Sequence, residues 1–123
     1  MKVISTEKAP AAIGPYSQAI VINGMVFTSG QIPLNPATGE IMGTTVEEQA
    51  EQVMNNLGEV LMAAGSSYEK AVKTTCFLAD MGDFGAFNEV YGKYFTGKPA
   101  RSCVAVKTLP KNVLCEVEVI AEI

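Results

Sequence analysis

The chain has 123 residues, of which 48% are hydrophobic and 18% charged, a balance that excludes a disordered or membrane-spanning protein. That length suits a single domain over residues 1–123, able to bury roughly two thirds of its unfolded surface without covalent staples. Thirteen acidic against nine basic residues give a net charge of -4, the wrong sign for a phosphate-backbone binder, so no nucleic acid partner is expected.

Met1–Glu7 has no apolar run of signal-peptide length, and no later stretch approaches the ~20 apolar residues of a membrane span; the expectation is a cytoplasmic protein with no membrane partner. A short extended start leads into Ala9–Tyr16, whose two prolines and glycine are turn chemistry. Ser17–Ile22 and Met25–Ser29 are β-type runs joined by Asn23-Gly24, a hairpin signal because both turn residues tolerate positive φ. Gly30 follows, where backbone can come close to a neighbouring strand or a ligand. Residues 33–43 read as loop.

Thr45-Val46-Glu47-Glu48 is a capping box, and Val46, Ala50, Val53, Leu57, Val60, Leu61 and Ala64 form one apolar stripe that Gly65 terminates. Ser66–Glu69 repeats the capping signature over a short helical turn. Lys73–Ala79 is expected as a strand with Thr74, Cys76 and Leu78 on one face and Thr75, Phe77 and Ala79 on the other. Asp83 can cap a second helix, whose Phe84, Phe87, Tyr91, Tyr94 and Phe95 make an aromatic stripe better suited to a core than to a cofactor box.

Pro99 disfavours the α region for Lys98, so the approach to Arg101 is expected to be stiff and extended. Cys103–Lys107 is a strand, Leu109–Asn112 a turn and Val113–Ile123 a last strand. On that strand Cys115, Val117, Val119, Ala121 and Ile123 face one way, with Glu116, Glu118, Ile120 and Glu122 on the other. The element order implies an α+β sandwich, a mixed sheet with both helices on one face. The other face is neither plainly wet nor covered, and a closed cyclic oligomer would bury it.

No histidine is present, which removes Ser-His and Cys-His nucleophile systems and leaves catalysis to carboxylates, Arg, Lys, Tyr, Ser or backbone groups. Cys76, Cys103 and Cys115 are odd in number and widely spaced, as suits reduced thiols rather than disulfides or a zinc site. Arg101, at the mouth of an apolar strand, reads either as a rim ion pair or as a fork for a carboxylate. Glu116 is a solvated face residue or, if oligomerisation buries that face, a paired or working carboxylate. It lies on a strand expected to pair, through the 109–112 turn, with the strand of Arg101. Ser29 has no base beside it and serves as an ordinary hydrogen-bond donor; Tyr16 is core or pocket wall; Asn88 caps or bridges; Cys103 is a small buried hydrophobe or a reactive thiol.

Residues 10–19 (PAAIGPYSQA), 28–33 (TSGQIP), 73–75 (KTT), 87–91 (FNEVY), 99–104 (PARSCV) and 109–111 (LPK) together resemble the RidA (YjgF) family in content and order. The resemblance covers nearly the whole chain. It implies a chorismate-mutase-like fold assembled as a homotrimer with inter-subunit clefts. It also implies hydrolysis of 2-iminopropanoate and 2-iminobutanoate, products of pyridoxal-phosphate serine and threonine dehydratases, to 2-oxo acids and ammonia. Carried over by motif, Arg101 would grip the substrate carboxylate and Glu116 would activate water. Ser29, Gly30 and the Cys103 backbone would position the substrate, while Tyr16 and Asn88 would line or brace the cleft. No metal or cofactor is implied, because an iminium carbon is already electrophilic and needs only orientation and one proton acceptor. The competing class is a binding module that senses 2-oxo acids through Arg101 without turnover.

Overall fold

The computed structural model describes residues 1–123. The local signals operate first. Thr45 Oγ1 accepts from the Glu48 amide at 3.2 Å while Glu48 Oε1 accepts from the Thr45 amide at 3.2 Å, closing the capping box of helix α1, Val46–Ala63. Gly65, at φ +83, ends it in the left-handed conformation expected of a C-terminal glycine. The Asn23-Gly24 turn, with φ of 51 and 73, joins strands β2 (Ala19–Ile22) and β3 (Met25–Thr28). The remaining elements are β1 (Lys2–Ile4), β4 (Ala71–Leu78), helix α2 (Phe84–Tyr94), β5 (Ala100–Ala105) and β6 (Cys115–Glu122).

Two expected caps are absent. Asp83 makes no capping bond; Asp80 instead accepts from the Gly82 amide at 2.7 Å and organises the single turn that leads into α2. Ser67 likewise caps nothing, and the hydroxyl of Ser66 goes to the Glu122 carbonyl, tying the end of α1 to the end of β6.

The six strands form one mixed sheet in the order β1-β2-β3-β6-β4-β5. Strands β3 and β4 both run antiparallel to β6, so they are parallel to each other, with α1 as the crossover and β6 inserted between them. Strand β5 is parallel to β4, with α2 as its crossover. The sequence expectation that the strands of Arg101 and Glu116 pair through the 109–112 turn is therefore overturned, because β4 lies between them. The cause is energetic: the centre of the sheet buries Cys115, Val117, Val119 and Ala121 under the helices, whereas the exposed edge would leave them half wet. Each fully buried Val is worth about 1.5–3 kcal/mol, more than the preference for a local hairpin.

Both helices pack on that same face. Gln49 of α1 accepts from the Leu114 amide at 2.7 Å, and the Tyr91 hydroxyl of α2 meets Thr74 Oγ1 at 2.7 Å, with Thr74 fully buried. Helix α1 also contains Gly58, which costs helix propensity but is required where Tyr68 crosses it to donate its hydroxyl to the Met54 carbonyl at 2.6 Å. The opposite sheet face carries Phe27, Lys73, Thr75, Phe77, Glu116, Glu118 and Ile120 and has no layer over it. No helix is long and apolar enough to cross a membrane.

Candidate active site

On the helix-covered side, Arg101 lies one residue inside β5, paired with Thr74. Its Nη1 donates to Asn88 Oδ1 at 2.7 Å, and its Cζ lies 4.7 Å from the Tyr91 ring centroid and 5.3 Å from that of Phe84. Phe84, Asn88 and Tyr91 are spaced by four and three residues, so one stripe of α2 supplies both aromatic walls and the amide. No carboxylate of the chain reaches this guanidinium; the single ion pair is Lys93–Glu51. The rim ion-pair reading is thus excluded within the chain, and most of the guanidinium donors remain for a ligand facing a cavity of about 330 Å³. The approach is not extended. Lys98 adopts φ +53 and its amide donates to the Phe95 carbonyl at 3.2 Å, because the chain must reverse between α2 and β5 and that turn outweighs the preference set by Pro99.

On the open side, Glu116 pairs with Phe77 of β4. Its position depends on a bulge at the end of β3. The ladder to β6 runs as far as Phe27↔Ile120; the Val119 amide then donates to Thr28 Oγ1 at 2.9 Å, and pairing resumes at Gln31↔Val117. Ser29 and Gly30 bulge between these points. A Cβ on Gly30 would overlap Glu116 Oε2 and lie 2.9 Å from Cδ, so the absent side chain is the space the carboxylate occupies. Ser29 Oγ donates to the Ser17 carbonyl at 2.6 Å and its amide to the Gln18 carbonyl at 2.9 Å, so its hydroxyl hydrogen is already committed. Gln18, buried, accepts from the Thr6 amide and donates to the carbonyls of Thr6, Ala9 and Pro10, and so fixes the loop that carries Tyr16. Tyr16 is 54% exposed and lines a cavity of about 410 Å³ with Ser29, Gly30, Glu116 and Glu118; it is wall, not core. Burial, with the Glu118 carboxylate as a second cause, holds Glu116 above the usual carboxylate range.

Within one chain the candidate residues therefore fall into two separate groups. Tyr16, Ser29, Gly30 and Glu116 meet; Arg101 and Asn88 meet elsewhere, and the half-buried Cys103 lies two residues along β5 from Arg101 without lining that cavity. Arg101 is level with Thr74 and Val119, three residues from Glu116 along β6 and two strands away, roughly 10 Å in each direction. The odd offset also turns the two side chains to opposite faces of the sheet. Phe84, Tyr91, Gln18, Thr28 and Glu118 were not singled out by sequence as site residues; the four-and-three spacing of Phe84, Asn88 and Tyr91 is the signal that would have found two of them.

The sequence model of the Endoribonuclease L-PSP family matches residues 6–123. AldR of Lactococcus lactis, whose name calls it a regulator, is 55% identical over 100% of this chain and 98% of its own. The 2-iminobutanoate/2-iminopropanoate deaminase of Mus musculus is 51% identical over 98% of this chain and 90% of its own. Among solved structures, E. coli TdcF with bound serine superposes with a TM-score of 0.94 at 46% identity, covering 100% of this chain and 99% of that one. A match over nearly the whole length, on the same fold, places this chain in the Endoribonuclease L-PSP family, which is the YjgF/RidA family its sequence resembles.

Proposed function

We propose that the protein is an imine deaminase that hydrolyses 2-iminopropanoate and 2-iminobutanoate to the 2-oxo acids and ammonia, working as a homotrimer whose clefts join the Arg101 half-site of one copy to the Glu116 half-site of another. The observation that carries this reading is the unpaired guanidinium of Arg101, fixed by Asn88 and two aromatic rings with no carboxylate of its own. A planar fork of this kind takes a substrate carboxylate two bonds at a time. The uncovered sheet face bearing Glu116 supports the assembly, since the incompletely buried Phe27, Phe77 and Ile120 around it gain by being enclosed. The sequence relatives named as imine deaminases support the substrate class.

In the reaction, the carboxylate of the iminium substrate binds Arg101, which fixes the C2 carbon next to Glu116. Glu116 accepts a proton from water as its oxygen adds to C2, giving a tetrahedral amino alcohol. The same proton is returned to nitrogen, the C–N bond breaks, and ammonia leaves and takes up the hydroxyl proton as ammonium while the 2-oxo acid forms. The sum is one iminium acid and one water in, one 2-oxo acid and one ammonium out. A carboxylate held above its usual range suits both halves of this shuttle, because it takes the proton readily and surrenders it in the next step. Tyr16 and Ser29 shape the wall against which the substrate's alkyl group rests.

The test couples a threonine dehydratase and threonine with semicarbazide, which traps free imine. The protein should lower trapping and hasten 2-oxobutanoate release, and Arg101→Ala and Glu116→Ala should abolish both effects. A second reading, favoured by the regulator name of one relative and the serine bound by another, is a sensor of small amino or 2-oxo acids. Glu116→Ala separates the two, because a sensor needs Arg101 for affinity but no water-activating carboxylate. Binding of 2-oxobutanoate without any effect of the wild type on trapping would replace the enzyme with the sensor.

A further inference from the structure

We propose that Cys76 and Cys103 form a vicinal dithiol that peroxides or disulfide-forming oxidants close to an intramolecular disulfide across β4 and β5. The two are directly paired in the parallel ladder, Cys76 with Cys103, between Thr75↔Ser102 and Phe77↔Val104. Strands in a sheet are about 4.8 Å apart, and a disulfide spans Cα separations of roughly 4.4–6.8 Å. Paired residues share a face, and both thiols point to the helix-covered side, where each perturbs the titration of the other. All three cysteines are free.

The third thiol is excluded by register. Cys115 of β6 is paired with Leu78, two residues along β4 from Cys76, a diagonal of roughly 7–8 Å in Cα terms and outside the reach of a disulfide. Cys76 and Cys115 are fully buried, whereas Cys103 is only half-buried on the edge strand, which makes Cys103 the thiol that meets a dissolved oxidant. Burial holds both thiols above the ordinary range, Cys76 up to about 12, and Arg101, two residues earlier on the same face of β5, offsets only part of that rise, so the half-buried Cys103 is the one to react first.

With hydrogen peroxide the chemistry balances in two steps. The Cys103 thiolate attacks the O–O bond, giving a sulfenic acid and hydroxide. The Cys76 thiolate then displaces hydroxide from that sulfur, so two thiols and one peroxide yield one disulfide and two waters. Nothing in this depends on imine hydrolysis, so the inference stands or falls apart from the function proposed above.

The experiment treats the full-length protein with hydrogen peroxide, and separately with diamide, then alkylates it under denaturing conditions and reads intact mass and peptide maps. The expected result is loss of two hydrogens, a drop from three alkylatable cysteines to one, a cross-linked pair of peptides bearing Cys76 and Cys103, and recovery of all three thiols with dithiothreitol. Cys115→Ser should behave as wild type, while Cys103→Ser and the volume-conserving Cys76→Val should each lose the cross-link. Sulfinic acid on Cys103 with Cys76 still alkylatable, a cross-link to Cys115 or between chains, or three free thiols after treatment would each overturn the proposal.

Discussion

The carboxylate of Glu116 occupies the space that a side chain on Gly30 would need: a Cβ there would overlap Oε2 and lie 2.9 Å from Cδ and 3.1 Å from Cγ. Two residues 86 positions apart in the chain are thereby locked together, and the lock is the bulge between Thr28 and Gln31.

Gly30→Ala tests that relationship. The backbone of Gly30 does not lie in the left-handed region, so the added methyl acts through space alone, by pushing Glu116 out of place. Misplacement of a reacting group by about 1 Å costs on the order of 10²-fold in rate. Imine turnover in the semicarbazide assay should fall by that order while the unfolding midpoint moves little; an unchanged rate would mean that Glu116 has no fixed place to lose.

Glu116 sits above the usual carboxylate range because burial, and then Glu118, disfavour its charge. The acidic limb of the pH–rate profile should accordingly lie above the ordinary glutamate range, and Glu118→Gln should move it down only part of the way, since burial is the larger cause. The stability consequence has a definite sign. A carboxyl whose folded pKa is raised binds its proton more tightly in the folded state, so stability falls as pH rises through the interval from the unfolded value to the folded one. Glu116→Gln should therefore be at least as stable as wild type at neutral pH, and the difference should vanish in acid. Urea unfolding at both ends of that interval measures it.

Arg101 is held by one amide and two rings, and each can be removed singly. A hydrogen bond to a charged group is worth about 1.5–3 kcal/mol, so Asn88→Ala should weaken 2-oxobutanoate binding by roughly 10-fold or more and raise KM more than it lowers kcat. Arg101→Lys keeps the charge but loses the fork and the stacking on Tyr91 and Phe84, and should resemble Arg101→Ala in the same titration.

Gly58 is a structural counterpart. A Cβ on it would overlap the Tyr68 hydroxyl and stand 2.8 Å from Cζ, and Tyr68 is held by its bond to the Met54 carbonyl and by packing on Tyr94 and Phe95. Gly58→Ala gains about 1 kcal/mol of helix propensity and loses about 1–3 kcal/mol to overpacking. Net destabilisation in a thermal melt is expected, with turnover per folded molecule unchanged because the site lies elsewhere.

What the sequence determined by itself is what near neighbours decide. The Thr45–Glu48 box, the left-handed Gly65, the Asn23-Gly24 turn and the alternation of Cys115, Val117, Val119 and Ala121 against Glu116 and Glu118 all rest on contacts within a few residues, and all are present. The motif blocks identified the family because they keep residue types in order even where their geometry is not visible in one dimension. What only tertiary structure decided is which strand enters the middle of the sheet. Alternation reveals that β6 has a buried face, but two helices can cover it beside β5 or between β3 and β4, and burial at the centre selects the second. From that choice follow the separation of Arg101 from Glu116 and their opposite faces. The same holds for Lys98 and Asp83, whose local preferences yield to a chain reversal and to a better-placed Asp80, because a turn that must close a crossover outweighs the conformational bias of one residue.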